Sequence, residues 1–278
     1  MAKITVKQLV DEYYKSSDYS MLAYKTKVDY SNCLDRMLNT KVNKNFICTT
    51  KADKLTGAMA RQSYEVWLKH GIYMANHIVA SSRKVYSFGM EMGYVEYNPF
   101  STFKCKVNKP RKIVWTRNQI TTLLDFCYND FKYRSIGLIV QMSYEWCQRV
   151  GDMRLLKFEN IDFNNKVLNL EQSKRGASVS LPISDNLFEM LQEQKRDYDF
   201  QEYVAPVPKA IRSSYNPYTL HRLSIVARKA IKLCGLPDEL RIADLRRTGT
   251  TEMVEAGVSM GQIMSVTGHA NPQSVKPY

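Results

Sequence analysis

The stretch NIDFNNKVLNLEQSKRGASVSLPI, residues 160–183, holds three short runs rich in apolar and β-branched residues. The runs cover residues 160–163, 166–170 and 178–183. Asn164-Asn165 separates the first two runs, and Lys174-Arg-Gly-Ala177 separates the last two. Polar and glycine-containing segments of this kind favour tight turns between strands. The stretch therefore predicts a small three-stranded antiparallel meander.

Helical patterns surround this meander, because apolar residues recur there every three or four positions. Thr116 is a predicted N-cap, since its hydroxyl can accept from the free amides of a first helical turn. Near the N-terminus, helices are predicted around Val6–Tyr13 and Val28–Leu38. Further predicted helices cover residues 62–70, 75–93, 117–130, 134–146, 185–197, 219–234, 240–257 and 259–266. The sequence therefore predicts an α+β fold that is mainly α-helical.

Positive charge is concentrated in the first part of the chain. The 278 residues carry 40 Lys and Arg against 27 Asp and Glu, a net charge of +13. Residues 1–113 alone hold 19 basic and 9 acidic side chains, a net charge of +10. We predict a helical domain over 1–103, an exposed basic linker over 104–113 and a second domain over 114–278. The excess favours a nucleic-acid partner over a purely solubilising role.

Other protein classes are disfavoured by composition. The six cysteines are scattered with no CxxC pair, which fits a reducing cytosol better than a disulfide framework. No apolar run approaches the ~18 residues of a membrane span. HExxH, Walker A and GxGxxG motifs do not occur, and the four histidines are not spaced as a metal pair. The lack of an acidic cluster also weakens a two-metal nuclease.

A set of basic residues remains as the candidate for chemistry, together with the last tyrosine. Arg149 lies in Cys147-Gln-Arg-Val-Gly-Asp152, at a predicted helix start. The other members are Lys174 in the proposed hairpin turn, Arg246 in Asp244-Leu-Arg-Arg-Thr248, His269 after Gly268, and Tyr278. Arginine forks suit a phosphate bidentately, so this set indicates a phosphate-directed site.

In order and spacing, these residues resemble the tyrosine recombinase (phage integrase) family. Arg149 and Asp152 match the first motif, and Glu171-Gln-Ser-Lys174 is close to the form found in lambdoid integrases. Arg246 matches the last position of His-x-x-Arg. Tyr278 lies nine residues beyond His269, as the nucleophilic tyrosine does in the family. The resemblance runs from about residue 115 to the end, and more loosely over the first part.

The resemblance implies a helical, SAM-like core-binding domain followed by a catalytic domain of the DNA breaking-rejoining fold. It implies that Arg149 and Arg246 neutralise the scissile phosphate while Tyr278 attacks phosphorus. Lys174 would protonate the leaving 5′ oxygen, and His269 would hydrogen-bond the phosphate. A covalent phosphotyrosine conserves the bond energy, so neither a metal nor ATP is expected. Asp152 would orient the site by pairing, or act only as a helix-start carboxylate.

The sequence departs from the family in two places. Ala243 stands where the family usually has the histidine of His-x-x-Arg, which is assigned to proton transfer and phosphate contact. Three outcomes are open: the pH dependence or rate differs, Asp244, Lys174 or water compensates, or the chain is inactive. The sequence also ends at Tyr278, where family members continue with a helix that docks on a neighbouring subunit. We interpret it as incomplete at this end, because a nucleophile at a fraying terminus is poorly positioned.

The implied activity is site-specific recombination, most simply integration or excision of a phage or mobile element. A Xer-type chromosome-dimer resolvase, a type IB topoisomerase and a non-catalytic DNA-binding relative remain as alternatives. The implied partners are double-stranded DNA at recombination sites, further copies of the chain in a tetramer, and host or phage DNA-bending factors. The implied location is the bacterial cytoplasm, at the nucleoid. Predicted DNA contacts are Arg83, Lys84, Lys104, Lys106, Lys109, Arg111 and Lys112.

Overall fold

A computed structural model describes residues 4–42, 44–107, 109–173, 176–209 and 214–276. The chain divides into two compact units, residues 1–110 and 111–278. The border therefore falls within the basic stretch 104–113. Each unit has its own hydrophobic core. Among the described residues, no helix combines the length and apolar character needed to cross a membrane.

Helices build most of the first unit. They are α1 (Val6–Lys15), α2 (Ser17–Ser20), α3 (Tyr24–Leu38), α4 (Gly57–Leu68) and α5 (Ile72–Glu91). Thr5 starts α1 with a capping box, in which its hydroxyl accepts from the Gln8 amide and the Gln8 side chain accepts from the Thr5 amide. The Thr56 hydroxyl accepts from the Met59 amide and caps α4, so this helix begins five residues before the predicted stretch 62–70.

A short β-hairpin in the first unit was not expected from the sequence. Strands β1 (Lys41–Val42) and β2 (Asn45–Phe46) pair antiparallel. Lys44, in the turn between them, has a φ of 96°, which is the region that favours glycine. The usual turn signal is therefore missing from the sequence, and strands of two residues show no measurable alternation.

The first half of the predicted linker packs against the first unit. The Lys104 carbonyl accepts from the Arg61 guanidinium at 3.4 Å, and the Lys106 carbonyl accepts from the Asn76 side chain at 2.9 Å. The Lys106 amide donates to the Tyr64 hydroxyl at 2.8 Å. The backbone of this segment is therefore held in place, while the lysine side chains remain exposed.

The second unit combines helices with one small sheet. Its helices are α6 (Arg117–Tyr128), α7 (Phe131–Glu145), α8 (Val150–Met153), α9 (Asp185–Tyr198), α10 (Leu220–Leu233), α11 (Leu245–Glu255) and α12 (Met260–Thr267). The Thr116 N-cap predicted for α6 is confirmed, and it forms a capping box with Gln119. Helix α7 is buried on nearly all sides and lies at the centre of the core.

The predicted meander is confirmed. Strands β3 (Ile161–Asp162), β4 (Val167–Glu171) and β5 (Ser178–Pro182) form an antiparallel sheet in the order β3-β4-β5. Leu168 pairs with Leu181, and both side chains are buried in the core of the unit. This pairing fixes which face of the sheet packs inward, because a one-residue slip would expose both leucines.

The single helix predicted over 240–257 begins later than expected. Arg241 is extended, a 3₁₀ turn follows at Ile242–Asp244, and α11 starts at Leu245. The extended backbone lets the Arg241 carbonyl accept from the Trp115 indole at 3.1 Å. Tertiary contacts therefore decide this boundary, against a local sequence that favours a longer helix.

We expect Gly249→Ala to lower the free energy of unfolding by about 1–3 kcal/mol, the usual cost of overpacking. A Cβ at Gly249 in α11 would lie 2.5 Å from the Tyr144 carbonyl oxygen and 2.7 Å from Cys147 Sγ. The matched control is Gly261→Ala in α12, where a Cβ meets nothing within 4 Å. Urea unfolding of both variants measures the difference, and equal midpoints would contradict this packing.

Candidate active site

Arg149 lies at the entrance to α8 and points towards the end of β4. Its Nη1 donates to Gln172 Oε1 at 2.8 Å and lies 3.8 Å from Asp152 Oδ2. The side chain is 27% exposed, and its Nε and Nη2 bond no acceptor among the residues that the structure describes. One edge of the guanidinium is therefore held by the protein, and the other edge is open to an anion.

Asp152 joins the Arg149 segment to the strand that leads into the hairpin turn. Its carboxylate is buried, and Oδ1 accepts from both the hydroxyl and the amide of Ser173. The contact with Ser173 is closer than the contact with Arg149. Asp152 thus anchors the residue just before Lys174.

Arg246 is carried by the first turn of α11 and is only 8% exposed. Its Nη2 donates to the Thr267 carbonyl at 2.8 Å and contacts His269 Nε2 at 3.0 Å. The sequence-predicted residues Arg246 and His269 are therefore brought into direct contact. Buried arginines need such acceptors, because an unpaired buried charge is strongly destabilising.

The hydrogen bonds around His269 assign its tautomer. The Thr267 hydroxyl donates to the Ile263 carbonyl at 2.6 Å, so its oxygen accepts from His269 Nδ1 at 2.7 Å. The proton therefore sits on Nδ1, which leaves Nε2 as an acceptor for Arg246.

The C-terminal end of α12 collects these contacts. The Thr267 carbonyl accepts from Gln172 Nε2 and from Arg246 Nη2, each at 2.8 Å. The Val266 carbonyl accepts from Gln148 Nε2 at 2.8 Å. The last carbonyls of a helix lack intrahelical partners and carry partial negative charge, so they attract amide and guanidinium donors.

Both the backbone conformation and the close packing at residue 268 require glycine. Its φ of 67° is left-handed and ends α12. A Cβ at this position would lie 2.5 Å from Gln172 Nε2. Only glycine lets the Gln172 amide approach this closely while the chain turns towards His269.

Sequence reasoning missed Gln148, Gln172 and Thr267, although each lies beside a residue that it selected. All three are buried, with at most 1% of each residue exposed. Gln172 Nε2 also donates to Gln148 Oε1 at 2.6 Å. The sequence signal that could have identified them is their position, because each polar residue lies one or two residues before Arg149, Lys174 or Gly268-His269.

Lys174 and Tyr278 lie outside the described residues. Ala243 is exposed, and it lines a groove of about 220 Å³ together with Val150 and Leu220. The neighbouring Asp244 is bound by Arg111, whose Nη2 lies 2.8 Å from Asp244 Oδ2. This ion pair occupies the carboxylate that was considered as a substitute for the missing histidine.

Several residues predicted as DNA contacts already bind within their own unit. Arg83 donates to the Phe100 and Phe103 carbonyls, at 2.8 and 3.1 Å. Lys84 lies 2.6 Å from Asp18 and Lys106 lies 3.9 Å from Glu65. Lys104, Lys109 and Lys112 are exposed. Their side chains form no ion pair within the described ranges, whereas Arg111 is bound to Asp244.

The Cys147 thiol near Arg246 is not a ready nucleophile. Burial raises the pKa of the Cys147 thiol to about 11, so it is neutral at neutral pH. Within the described ranges, no group of three or more His, Cys, Asp or Glu side chains is arranged to hold a metal ion. What the described residues offer is a positively charged anion site.

Known proteins with similar sequences are recombinases. The integrase of Salmonella phage P22 is 23% identical over 177 residues, covering 61% of this chain and 44% of that protein. Tyrosine recombinase XerA of Pyrococcus horikoshii is 29% identical over 143 residues, covering 51% of this chain and 48% of XerA. The matched parts thus span about half the length of these relatives.

The fold is that of lambda integrase. A crystal structure of a lambda integrase tetramer bound to a Holliday junction matches with a TM-score of 0.80 and 16% identity, covering 99% of this chain and 77% of that chain. The predicted fold class is thereby confirmed. Residues 114–278 match the phage integrase family over more than half of the chain. This chain therefore belongs to the phage integrase family of tyrosine recombinases.

Proposed function

We propose that this protein is a site-specific DNA recombinase that cuts and rejoins strands through a covalent 3′-phosphotyrosine at Tyr278. The proposal rests on the hydrogen bonds that link the two arginines. Arg246 donates to the Thr267 carbonyl, and Arg149 donates to Gln172, which donates to the same carbonyl. Two fixed guanidinium groups in a family of recombinases suit a phosphodiester, which is anionic and gains charge in the transition state.

In the proposed reaction, the Tyr278 oxygen forms a bond to phosphorus and the bond to the 5′ oxygen breaks. A free phenol has a pKa of about 10, so the positive site must favour its ionised form, and the phenolic proton passes to water. Lys174 gives the leaving 5′ oxygen its proton as general acid. Religation by a 5′ hydroxyl reverses these steps. The bond energy stays in the phosphotyrosine, so no ATP is consumed.

His269 and Asp152 act beside the two arginines in this proposal. His269 donates from Nδ1 to Thr267 and accepts at Nε2 from Arg246. Its proposed hydrogen bond to the phosphate requires a proton on Nε2, because phosphate oxygens only accept. Asp152 holds Ser173, the residue before Lys174. We therefore assign Asp152 to placing the base of the hairpin turn.

The biological role proposed first is integration or excision of a phage or mobile element. The P22 integrase is a relative of that kind. A Xer-type resolvase is the second candidate, favoured by the higher identity to XerA. We further propose that duplex DNA and a homotetramer form the working complex, as in the lambda integrase assembly on its Holliday junction. DNA-bending factors belong to the integrase version of the proposal.

The first prediction from the proposed reaction concerns the nucleophile. Tyr278→Phe should abolish the covalent complex, because phenylalanine has no oxygen to attack phosphorus. DNA affinity should stay within about twofold, since phosphate and groove contacts made by many other residues set it. The assay uses a suicide duplex nicked beside the cleavage site, so that the short 5′-hydroxyl fragment diffuses away and religation stops.

The duplex is obtained by selecting bound fragments from the genome that encodes the chain. Tyr24→Phe is the matched control, because Tyr24 is 83% exposed in the first unit and should leave covalent complex formation intact. If the wild-type protein binds the selected duplex but forms no covalent complex, the catalytic proposal is wrong and the non-catalytic alternative holds.

The second prediction concerns Ala243. Ala243→His should leave the single-turnover cleavage rate unchanged or raise it, by up to about 10²-fold, the low end of what a positioned proton-transfer group supplies. Ala243 is exposed beside an open groove, so an imidazole can be placed there. Ala243→Phe controls for size without the nitrogen atoms. A severe loss in both variants would show that the site requires a small residue.

The third prediction concerns salt. Binding should weaken steeply with ionic strength, because log affinity falls with log salt by about 0.9 for each phosphate neutralised. Changing Lys104, Lys109 and Lys112 together to Gln should lower that slope by about 2–3. Lys7, Lys15 and Lys54, which lie in exposed ion pairs, provide a control with the same charge change. Equal slopes for the two triple variants would contradict the assignment of these three lysines as DNA contacts.

A further inference from the structure

Gln172 lies directly after β4 and is almost completely buried, with 1% of the residue exposed. Its Oε1 accepts from Arg149 Nη1 at 2.8 Å. Its Nε2 donates to the Thr267 carbonyl at 2.8 Å and to Gln148 Oε1 at 2.6 Å. The two amide hydrogens therefore have one acceptor each, and the amide oxygen faces a cation.

The orientation of this amide is determined by its neighbours. Gln148 Nε2 donates to the Trp146 carbonyl at 2.7 Å and the Val266 carbonyl at 2.8 Å. Gln148 Oε1 must then face Gln172 as an acceptor. With acceptors on one side, the NH₂ group of Gln172 faces Thr267 and Gln148, and its oxygen has to face Arg149. A flipped amide would place oxygen against two oxygens.

A continuous chain of hydrogen bonds thereby joins the two arginines. Arg149 bonds Gln172, Gln172 bonds the Thr267 carbonyl, and that carbonyl also accepts from Arg246 at 2.8 Å. We propose that Gln172 is a positioning residue that sets the Arg149 guanidinium relative to Arg246, so that both forks meet one phosphate. This inference rests on the proposed function.

Only Nη1 of Arg149 is used in this contact, and the Nε and Nη2 edge has no acceptor among the residues covered by the structure. A long side chain that is 27% exposed would otherwise sample several rotamers. The bond to Gln172 removes that freedom before DNA binds. Preorganised donors stabilise developing charge without reorganisation during the reaction.

Gln172→Met keeps the length of the side chain and removes all three bonds. We expect the single-turnover cleavage rate on the suicide duplex to fall by about 10–100-fold, the range expected for misplacing a catalytic group by about 1 Å. The DNA Kd should stay within about twofold, because Gln172 is too buried to carry affinity. A rate per folded molecule equal to wild type would overturn the proposal.

Gln194→Met is the matched control. Gln194 is also fully buried, its Oε1 accepts from Arg134 Nε at 2.8 Å and its Nε2 donates to the Val204 carbonyl at 2.9 Å. It thus makes the same type of bridge in the same unit, to an arginine outside the site. This variant should lower the melting temperature and leave the cleavage rate per folded molecule near wild type. An equal loss of rate in both variants would make Gln172 merely structural.

Gln172→Glu tests the same contact by pH, and it carries the test if Gln172→Met does not fold. An ionised carboxylate keeps the acceptor for Arg149 but presents oxygen to Thr267 and Gln148, and it competes with phosphate for the guanidinium. Protonation restores one donor. The guanidinium of Arg149 favours the ionised form of this carboxyl group and burial opposes it. The cleavage rate should therefore be lower than wild type wherever the carboxyl group is ionised, and a rate equal to wild type at every pH from about 6 to 8.5 would contradict the proposal.

A readout independent of cleavage separates this inference from the proposed function. Side-chain NMR of Arg149, assigned with Arg149→Lys, reports rotation about its Nε–Cζ bond in the free protein. Rotation should be slow in wild type and in Gln194→Met, and fast in Gln172→Met. Fast rotation in wild type would overturn the positioning role. If wild type instead shows slow rotation and no covalent complex, the recombinase proposal fails while the contact stands.

Discussion

The Thr267 carbonyl oxygen accepts hydrogen bonds from Gln172 and Arg246, and the order of the site depends on it. This oxygen belongs to the last residue of α12, where helix geometry leaves carbonyls without partners. A helix end buried in this way needs donors, and the nearest side chains supply them. The same bonds that satisfy the helix end also hold Arg246 directly and Arg149 through Gln172. The same hydrogen bonds therefore stabilise the end of α12 and fix the positions of Arg149 and Arg246.

The need for donors at the end of α12 explains why glycine and glutamine residues lie beside the arginines. Gly268 provides the left-handed turn and leaves space for the Gln172 amide, as a Cβ there would be 2.5 Å away. Gln172 and Gln148 are uncharged donors and acceptors, so they satisfy buried carbonyls without adding charge that would compete with a phosphate. A lysine in their place would bury an additional charge, and a leucine would leave the carbonyls unpaired.

The elements with strong local signals could be predicted from the sequence. The meander, the Thr116 cap and the main helices follow from alternation, capping residues and helical spacing. The β1-β2 hairpin could not, because its turn uses Lys44 at positive φ in place of glycine. Within the site, Arg149, Arg246 and His269 could be predicted from the sequence, because they are basic residues in recognisable motifs. Gln172 was not, because a glutamine gains its role only from which carbonyls and guanidinium the fold brings to it. The delayed start of α11 has the same origin, since Trp115 and Arg111 bind residues far away in sequence.

The positive side chains differ in burial, and burial decides how strongly solvent screens each charge. Lys104, Lys109 and Lys112 are exposed, so their attraction for a polyanion is screened within a Debye length of about 8–10 Å. Arg246 is 8% exposed and held by a carbonyl, so its field is screened much less and its direction is fixed. Arg149, with one edge held and one open, is intermediate. In the proposed function, affinity that depends on the exposed lysines and reactivity that depends on Arg149 and Arg246 respond to different variables. Ionic strength acts mainly on the first, and the hydrogen bonds to Thr267 and Gln172 act mainly on the second.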